Sequence, residues 1–378
     1  MILTCLTMIK RNKMLIFLIS VSVLILTGFL FMQQKSFGQN PQGQRLERIL
    51  KSPNYKDGKF QNLVETPVMA KDISYWKLIK QMFHSENNRI PPKSLPSIHS
   101  NLKGNVIDST EIIWFGHSSY LIKTLGKNIL VDPVFSKRAS PVSFTGVTCF
   151  AGSSPFSIND LPNIDVMVLT HDHYDHMDYK TIMLLQNRTQ IYIVPLGVGQ
   201  HLEHWGIDPK KIIELDWWEK SEVIPGIEFT ATPARHFSGR GFVRNKTLWA
   251  SFVVKTNKSK IFIGGDSGFG PQFKEIGEKF GPFDIAFLES GQYNKFWPNI
   301  HSMPEETVQE AVELKTKVLF PVHWGKFKLS LHPWDEPIKR VIKRADEMQV
   351  TYTTPLIGEP IILEGNLTKS KWFELISE

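Results

Sequence analysis

The stretch IDVMVLTHDHYDH, residues 164–176, joins an apolar run typical of a buried β-strand to three histidines and two aspartates within six residues. A strand that ends in a loop lets several side chains converge on one point. Imidazole and carboxylate groups together form a ligand set for Zn²⁺ and, less specifically, for other first-row divalent metals. The stretch therefore predicts a metal site at the end of a strand.

Alternation along an extended loop would place His171, His173 and Asp175 on one side and turn His176 to the other. One short loop would then serve two metals. Any one of these histidines, taken singly, would more often be an ordinary core or surface residue. Burying the whole group beside an apolar strand would cost several kcal/mol unless something satisfied it, so the group as a whole predicts metal binding.

The chain from residue 111 onward follows a regular α/β pattern. Hairpin-like strands come first and then alternate with helical patterns, which predicts sheets with helices packed outside them. The predicted helices cover residues 179–187, 271–280, 304–316 and 336–348, and the predicted strands are EIIWFG, SYLIKTLG, KNILVDPVF, IDVMVLT, QIYIVPL, KIIELDWW, ASFVVKT, KIFIGG, FDIAFLES and KVLFPVHW. Residues 111–378 are predicted as one domain, and residues 39–110, which are Pro-rich near residues 91–96, as a linker and preamble.

Three further residues are candidates for the same metal site. His236, Asp266 and His323 each follow a β-like run and stand in a sequence rich in Gly, Pro or Ser, as a ligand carried on a loop should. Each also has an ordinary interpretation. The two histidines could be structural, and Asp266 could form a turn between its small neighbours.

The N-terminal segment, residues 1–38, is predicted to direct export. Residues 15–32 are almost uninterruptedly apolar and follow Lys10, Arg11 and Lys13, the charge arrangement that keeps an N-terminus in the cytosol. About 18 apolar residues suit a short transmembrane anchor. The small residues before Gln39 suit cleavage of a signal peptide equally well. Both versions predict a cell-envelope protein whose main domain lies outside the cytoplasm.

Composition excludes several other classes. The chain has 378 residues, 42% of them hydrophobic, and can bury a large core. Its net charge of +7 includes four basic residues among the first 40, where no acidic residue occurs, so 40 basic and 37 acidic residues remain for the rest. This near balance, without a basic and aromatic cluster, argues against nucleic acid as a partner. The two cysteines form no disulfide framework.

The run HDHYDH resembles the H-x-H-x-D-H signature of the metallo-β-lactamase superfamily. This resemblance implies an α/β fold, the αβ/βα four-layer sandwich of two mixed sheets with outer helices. It also implies two Zn²⁺ ions per chain. One zinc would be held by His171, His173 and His236, the other by Asp175, His176 and His323, with Asp266 bridging them.

Within the superfamily, the order of several motifs resembles the N-acylphosphatidylethanolamine-hydrolysing phospholipase D family over roughly residues 50–360. These motifs are GHSSYLI, VDPVFSKRASP, THDHYDH, LDWWE, TPARHFSGR, LWASFVV, GGDSGFG, EIGEKFGPFDIA, HSMPEETV and HWGKF. The resemblance implies hydrolysis of N-acylphosphatidylethanolamine to N-acylethanolamine and phosphatidic acid at a membrane surface. Class B β-lactamases often place Cys where Asp266 stands, which disfavours antibiotic hydrolysis.

The same resemblance implies substrate-binding roles for Tyr174 and His301, and catalytic roles for Asp175, Asp266 and His301. Core packing is the alternative for Tyr174, and a polar residue ahead of a helix is the alternative for His301. The loop after Pro141 reads Val-Ser-Phe at 142–144, where the animal enzymes have a Gln-Tyr pair. Because the loop differs from that of the animal enzymes, the resemblance leaves the identity of the bound lipid open.

Two metals about 3.5–4 Å apart lower the pKa of a bridging water and clamp the oxygens of an in-line displacement, so a metal-bridging hydroxide is the expected nucleophile. His117 and Asp132 are expected to hydrogen-bond the ligand residues from behind; the alternatives are a buried His and a turn Asp. Trp217, Trp218 and Trp297 could line an acyl groove or pack in the core.

Two other functions stay open. A phosphodiesterase or lactonase acting on a small phosphorylated metabolite would share the same metal site. A non-enzymatic envelope protein would keep the fold as a binding module, and a broken ligand set would then be expected, whereas all seven positions are filled. The sequence is compatible with a homo-oligomer.

Overall fold

The computed structural model describes residues 2–70, 73, 74, 76, 78, 80, 88–106 and 108–376. Among them the strands are, in chain order, β1 Tyr55–Lys56, β2 Lys59–Phe60, β3 Thr110–Trp114, β4 Tyr120–Thr124, β5 Lys127–Val131, β6 Arg138–Ala139, β7 Val147–Thr148, β8 Ile164–Val168, β9 Thr189–Pro195, β10 Ile212–Leu215, β11 Lys220–Ile224, β12 Ile227–Thr232, β13 Ser251–Thr256, β14 Lys260–Ile263, β15 Ile285–Glu289, β16 Leu319–Val322 and β17 Pro360–Ile362.

The α-helices among the described residues are α1 Ile2–Met32, α2 Gly43–Ile49, α3 Tyr179–Leu185, α4 Gly199–Trp205, α5 Gln272–Lys279, α6 Pro304–Glu313 and α7 Glu336–Met348. Short 3-10 turns cover Lys35–Phe37, Ile158–Asp160, Gln186–Arg188 and Pro209–Lys211. Helix α6 begins with Pro304 at its first turn, where a missing N–H costs nothing, and two glutamates there suit the helix dipole.

The strands form two mixed sheets. The first has the order β10-β9-β8-β5-β4-β3-β17, in which the pairs from β10 to β5 are parallel and the pairs from β5 to β17 are antiparallel. The second has the order β11-β12-β13-β14-β15-β16, antiparallel up to β14 and parallel from there to β16.

The main core lies between the two sheets. Tyr120 of the first sheet stacks on Phe287 of the second with ring centroids 4.0 Å apart. Along β3, Ile112 and Trp114 belong to this core, while Ile113 faces a second apolar cluster on the outer side of the first sheet. Strand alternation thus gives the first sheet two buried faces, as expected of a sheet with a second sheet on one side and helices on the other.

Comparison with the sequence confirms the α/β fold of two mixed sheets with outer helices. The ten predicted strands are present, and α7 has the predicted bounds, while α3, α5 and α6 are shorter than predicted. The hairpin of β11 and β12 was not predicted, although Pro225-Gly226 between its strands is a turn signal. The preamble is not separate from the core, because Ile49 and Phe60 are fully buried within it.

The N-terminal helix α1 is the element that stands apart. Its segment Asn12–Met32 is, among the described residues, long and apolar enough to cross a membrane, and none of that window is buried against the rest of the chain. The chain then passes through the turn Lys35–Phe37 and returns to the surface of the main domain. This helix has the length and composition of an anchor or signal segment.

Candidate metal centre

The site lies at one edge of the two facing sheets, where several strands end. The loop 171–176 follows β8, His236 follows β12, Asp266 follows β14 and His323 follows β16. These four segments come from both sheets. Because the sheets face each other, their loops meet at a shared edge, and all seven residues predicted as ligands lie there.

The loop after β8 folds into a turn instead of continuing as extended chain. The amides of His176 and Met177 both donate to the carbonyl of His173, at 3.1 and 2.8 Å. This turn separates Asp175 from His171 and His173. The expectation from simple alternation, which placed Asp175 on their side, was therefore wrong: Asp175 lies with His176.

The first cluster consists of three imidazoles. His173 Nδ1 lies 2.9 Å from His171 Nε2 and 3.2 Å from His236 Nε2. Tetrahedral zinc with bonds of about 2.0–2.1 Å to nitrogen separates two ligand nitrogens by about 3.3 Å. Both distances from His173 Nδ1 are close to the separation that a single ion would impose.

The second cluster contains Asp175, His176, His323 and also His117. Asp175 Oδ2 lies 3.6 Å from His176 Nε2 and 3.4 Å from His323 Nε2. It also accepts a hydrogen bond from His117 Nε2 at 2.9 Å. His117 therefore contacts Asp175, the carboxylate of this cluster, in keeping with the supporting position expected for it.

Asp266 lies between the clusters. Its Oδ1 is 3.1 Å from His176 Nε2, and its Oδ2 is 3.4 Å from His323 Nε2 and 3.7 Å from His236 Nε2. One carboxylate thus faces nitrogens of both groups. This is the position that a bridging ligand requires.

The donor set fits metal ions. His176 Nε2 and Asp266 Oδ1 are buried and lie 3.1 Å apart. Neither atom makes a hydrogen bond of acceptable geometry with the other or with any other described residue. Buried polar atoms are rarely left unpaired, since each costs roughly 1–3 kcal/mol. Histidine nitrogens and carboxylate oxygens in groups within 4.8 Å of one another are the chemistry of a divalent-metal site.

The pKa values of His171 and His236 in the first cluster and of His323 in the second are shifted in opposite directions. Burial, reinforced by the neighbouring imidazoles, lowers the pKa of His171 well below its usual value, and the pKa of His236 is lowered likewise, mainly by burial. Burial alone would lower the pKa of His323 too, but Asp266, Asp175 and Glu289 outweigh it and raise that pKa to about 10. The first cluster is therefore held neutral, the form in which imidazole binds a metal.

Asp132 supports the loop from behind, in the position expected for it. Its Oδ2 lies 2.8 Å from His176 Nδ1 and accepts from the Thr170 hydroxyl at 2.7 Å. Its Oδ1 accepts from the Thr170 amide. The carboxylate thus fixes His176 so that the ring's other nitrogen faces the site.

Three site residues, His117, Asp132 and His323, have positive φ values, of 55°, 39° and 68°. The amide of His323 donates to the carbonyl of His117 at 3.0 Å, and the amide of His117 donates to the carbonyl of Trp324 at 2.8 Å. Such a backbone costs of order 1–3 kcal/mol per residue. The paired bonds stabilise it and join a loop of one sheet to a loop of the other.

Sequence reasoning missed Glu289, the last residue of β15. It is 2% exposed, and its Oε2 accepts from His301 Nδ1 at 2.6 Å and from His323 Nδ1 at 2.9 Å. Its Oε1 accepts from the Ser267 amide. The sequence feature that could have identified Glu289 is its position directly after the apolar run IAFL, at the strand end nearest the other candidates.

The two residues predicted to bind substrate lie in different surroundings. His301 is at the rim of the site, with its side chain 13% exposed and Nδ1 4.0 Å from Asp266 Oδ2. Tyr174 is outside the clusters: its hydroxyl donates to the Arg240 carbonyl and its ring packs 4.2 Å from the Arg240 guanidinium. The structure brings His301, but not Tyr174, to the clustered donors.

Of the three tryptophans that could have lined an acyl groove, Trp217 is buried in the core, and Trp218 and Trp297 are half-buried. Trp217 is buried and donates to the Trp249 carbonyl at 2.8 Å. Trp297 donates to the Gln292 carbonyl, and Trp218 packs on Phe280. For Trp217 these contacts support core packing and leave no free face for an acyl groove.

Two facing mixed sheets with paired His/Asp clusters at their common edge define a metal-dependent hydrolase of the metallo-β-lactamase class. The chain belongs to the beta-lactamase superfamily, since the model of the beta-lactamase superfamily domain matches residues 127–324. A metallo hydrolase from the archaeon Ignicoccus hospitalis has the same fold, with a TM-score of 0.53 and 19% identity over 68% of this chain and 100% of its own. These findings confirm the resemblance to the metallo-β-lactamase superfamily that the sequence motifs indicated.

Three proteins illustrate the sequence similarity of this chain to others. An uncharacterised protein of Mycobacterium tuberculosis is 37% identical over 86% of this chain and 88% of its own. N-acyl-phosphatidylethanolamine-hydrolyzing phospholipase D 1 of Caenorhabditis elegans is 32% identical over 65% of this chain and 74% of its own. The outer membrane protein RomA of Klebsiella pneumoniae is 55% identical over 94 residues, 25% of this chain and 71% of its own.

Proposed function

We propose that this protein is a dinuclear zinc phosphodiesterase that hydrolyses N-acylphosphatidylethanolamine to N-acylethanolamine and phosphatidic acid. The observation that carries the proposal is the position of Asp266, which faces nitrogens of both clusters at 3.1–3.8 Å. A shared carboxylate suits two ions at the spacing used for phosphodiester chemistry. The similarity to the nematode phospholipase D supports the choice of lipid.

In this proposal, one ion would be held by His171, His173 and His236, the other would be held by Asp175, His176 and His323, and Asp266 would be shared between them. Two bound ions would supply charge neutralisation at the phosphoryl group and a lowered pKa for water. The protein's part is orientation. Asp132 holds the His176 ring, and Glu289 holds the rings of His323 and His301.

His301 is the residue proposed to orient the substrate phosphate. Its Nδ1 is committed to Glu289, which leaves Nε2 for a substrate oxygen. Tyr174, whose hydroxyl is bonded to the Arg240 carbonyl, would contact the lipid through its ring. The partner in this proposal is a phospholipid at the surface of the cell envelope, a placement that the apolar helix and the similarity to RomA support.

The test is to incubate purified, zinc-loaded protein with N-acylphosphatidylethanolamine, with phosphatidylcholine and with bis(p-nitrophenyl) phosphate, and to follow the products by mass spectrometry. Water enriched in ¹⁸O should place its label in the phosphatidic acid, because attack occurs at phosphorus. His173→Ala and Asp266→Ala should lose both metal and turnover. Hydrolysis of the small diester without release of N-acylethanolamine would favour the alternative, an enzyme acting on a small phosphorylated metabolite.

A further inference from the structure

The segment that follows the apolar helix, Lys35–Gln39, is built into the main domain. Arg240 donates from Nη2 to the Ser36 carbonyl at 2.7 Å, and Trp205 donates from Nε1 to the Lys35 carbonyl at 2.6 Å. The Gln39 amide donates to His201 Nδ1 at 2.9 Å. Ser36 itself is buried. This segment therefore behaves as part of the fold and not as a loose linker.

The same contacts continue to the metal loop. His201 Nε2 lies 3.2 Å from Asp172 Oδ2, and Arg240 Nη1 donates to the carbonyls of Asp172 and Met177 at 2.7 and 2.9 Å. Arg240 is 5% exposed, and its hydrogen bonds within the described part of the chain go to carbonyl oxygens and to no carboxylate. Removing Ser36 would leave a buried guanidinium short of an acceptor, which is costly. The end of the helix is thus coupled to the loop 171–176.

Two surface loops flank the end of α1. The Phe31 ring lies 6.2 Å from the Phe144 ring of the loop 140–146, and a side chain added at Gly241 in the loop 239–246 would meet Met32 Cε at 3.5 Å. Both loops present apolar side chains to solvent: Phe144 is 69% exposed and Phe242 is 92% exposed. Phenylalanine rings exposed beside the end of a helix long enough to span a membrane suit burial at the boundary between headgroups and acyl chains.

The positive charge of the segments around the end of α1 also favours a membrane surface. Residues 33–40, 136–147 and 237–247 contain no acidic residue and six basic ones, of which Arg240 is buried and the other five are exposed or half-buried. Each basic residue close to an anionic membrane surface contributes about 1 kcal/mol of binding. These residues stand beside the apolar helix and the exposed aromatic rings, so the occupant that matches this face is a bilayer.

We propose that α1 is retained as a membrane anchor and that the loops 140–146 and 239–246 insert into the headgroup region of the same bilayer. The face so defined lies next to Tyr174, whose ring is 6.5 Å from that of Phe37. A phospholipid would then reach the metal centre by lateral movement from the membrane. That last step rests on the proposed function, whereas the retained helix and the inserted loops do not.

The retained helix is tested by the intact mass of the full-length protein extracted from the membranes of a bacterial host. A mass that includes residues 2–38 is expected. A mature protein that begins at Gln39 and keeps full metal content would overturn this part of the proposal.

Loop insertion is tested with a polarity-sensitive NBD dye on Phe242→Cys or Phe144→Cys, in a full-length Cys5→Ser, Cys149→Ser background. The matched control is Leu375→Cys, since Leu375 is also exposed, at 78%, but far along the chain from these loops. In vesicles of phosphatidylethanolamine and phosphatidylglycerol, the dye at 242 or 144 should shift to the blue and be quenched several-fold by doxyl lipids, and the control should not. Equal responses at 242 and 375 would overturn loop insertion.

This readout needs no turnover, so it separates the two proposals. If the dye reports insertion but no N-acylethanolamine is released, the proposed substrate fails and the membrane surface stands. If N-acylethanolamine is released, Phe144→Ser with Phe242→Ser should lower the rate on vesicles about 10-fold relative to Leu375→Ser, because each exposed aromatic contributes interfacial binding. An unchanged rate ratio would contradict lateral delivery.

Discussion

Glu289 binds no metal in the proposed arrangement, but it holds two histidines of the site in position. It is buried, and one of its oxygens accepts from two imidazoles, those of His301 and His323. Partners of this kind fix the tautomer and the orientation of a ligand ring, and they raise its basicity. Glu289 therefore links the proposed phosphate-orienting residue to the proposed metal ligand.

We predict that Glu289→Gln lowers metal content or kcat/KM by about 10- to 100-fold, the usual effect of removing such a partner. A glutamine side chain is neutral and has one acceptor oxygen, whereas Glu289 accepts through both of its oxygens, Oε2 from the two imidazoles and Oε1 from the Ser267 amide. Metal analysis together with separate kcat and KM values measures the effect. The matched control is Glu310→Gln, a buried glutamate bonded to the Ser302 hydroxyl, which should keep its metal; equal losses in both variants would contradict a positioning role.

His332 gives the stability of the fold a pH dependence. Burial lowers its pKa to about 4, and its Nε2 accepts from the Gln292 amide at 2.8 Å. Between pH 6.5 and 4 the unfolded chain takes up a proton that the folded chain does not, so stability falls as the pH falls through this range. In the metal-free protein, His332→Gln should reduce that slope in thermal unfolding. His99→Gln, which changes an exposed ring, should not.

At the level of elements, the site depends on how tightly the loops after β8 and β14 pass each other. Gly265 has φ of +63°, and a Cβ added there would lie 2.8 Å from Thr170 Cβ. Thr170 in turn holds Asp132, which holds His176. Only glycine meets both demands, because it tolerates a left-handed backbone and leaves room for the neighbouring loop.

We predict that Gly265→Ala destabilises the protein by more than the cost of the backbone conformation alone, about 1–2 kcal/mol, and also weakens metal binding. Gly226→Ala is the matched control: Gly226 has φ of +80° with nothing within 4 Å of an added Cβ. Thermal unfolding and metal content distinguish the two. Equal destabilisation with unchanged metal content would show that the close approach to Thr170 has no consequence.

For the whole molecule, the two clusters bring imidazole nitrogens and carboxylate oxygens within 4.8 Å of one another, and two of these buried atoms, His176 Nε2 and Asp266 Oδ1, have no hydrogen-bond partner among the described residues. An ion that binds the folded state stabilises it by about 4 kcal/mol at a free concentration 1,000 times its Kd. Chelation should therefore lower the unfolding temperature, and Zn²⁺ should restore it. Asp266→Asn should lose most of that recovery, while Asp208→Asn, which alters a helix cap far along the chain, should recover as the parent does.

Local patterns predicted much of the architecture. Apolar runs marked ten strands, and the change from hairpins to strand-helix alternation indicated two sheets with outer helices. The hairpin β11–β12 and the helix α4 escaped because their burial comes from packing in the fold and not from a strong pattern of their own. The integration of residues 35–60 into the domain also could not be predicted, since their partners lie about 150 to 200 residues away in sequence.

The sequence by itself identified the seven candidate metal ligands, because a group of imidazoles and carboxylates beside apolar strands is costly to bury unless something satisfies it. Only the tertiary structure decided how they divide: the turn at His173 moves Asp175 to the second cluster, and Asp266 comes between both. It also placed Glu289 behind two histidines and the end of the apolar helix beside the metal loop. These contacts join residues distant in the chain, so sheet packing, and not local preference, sets them.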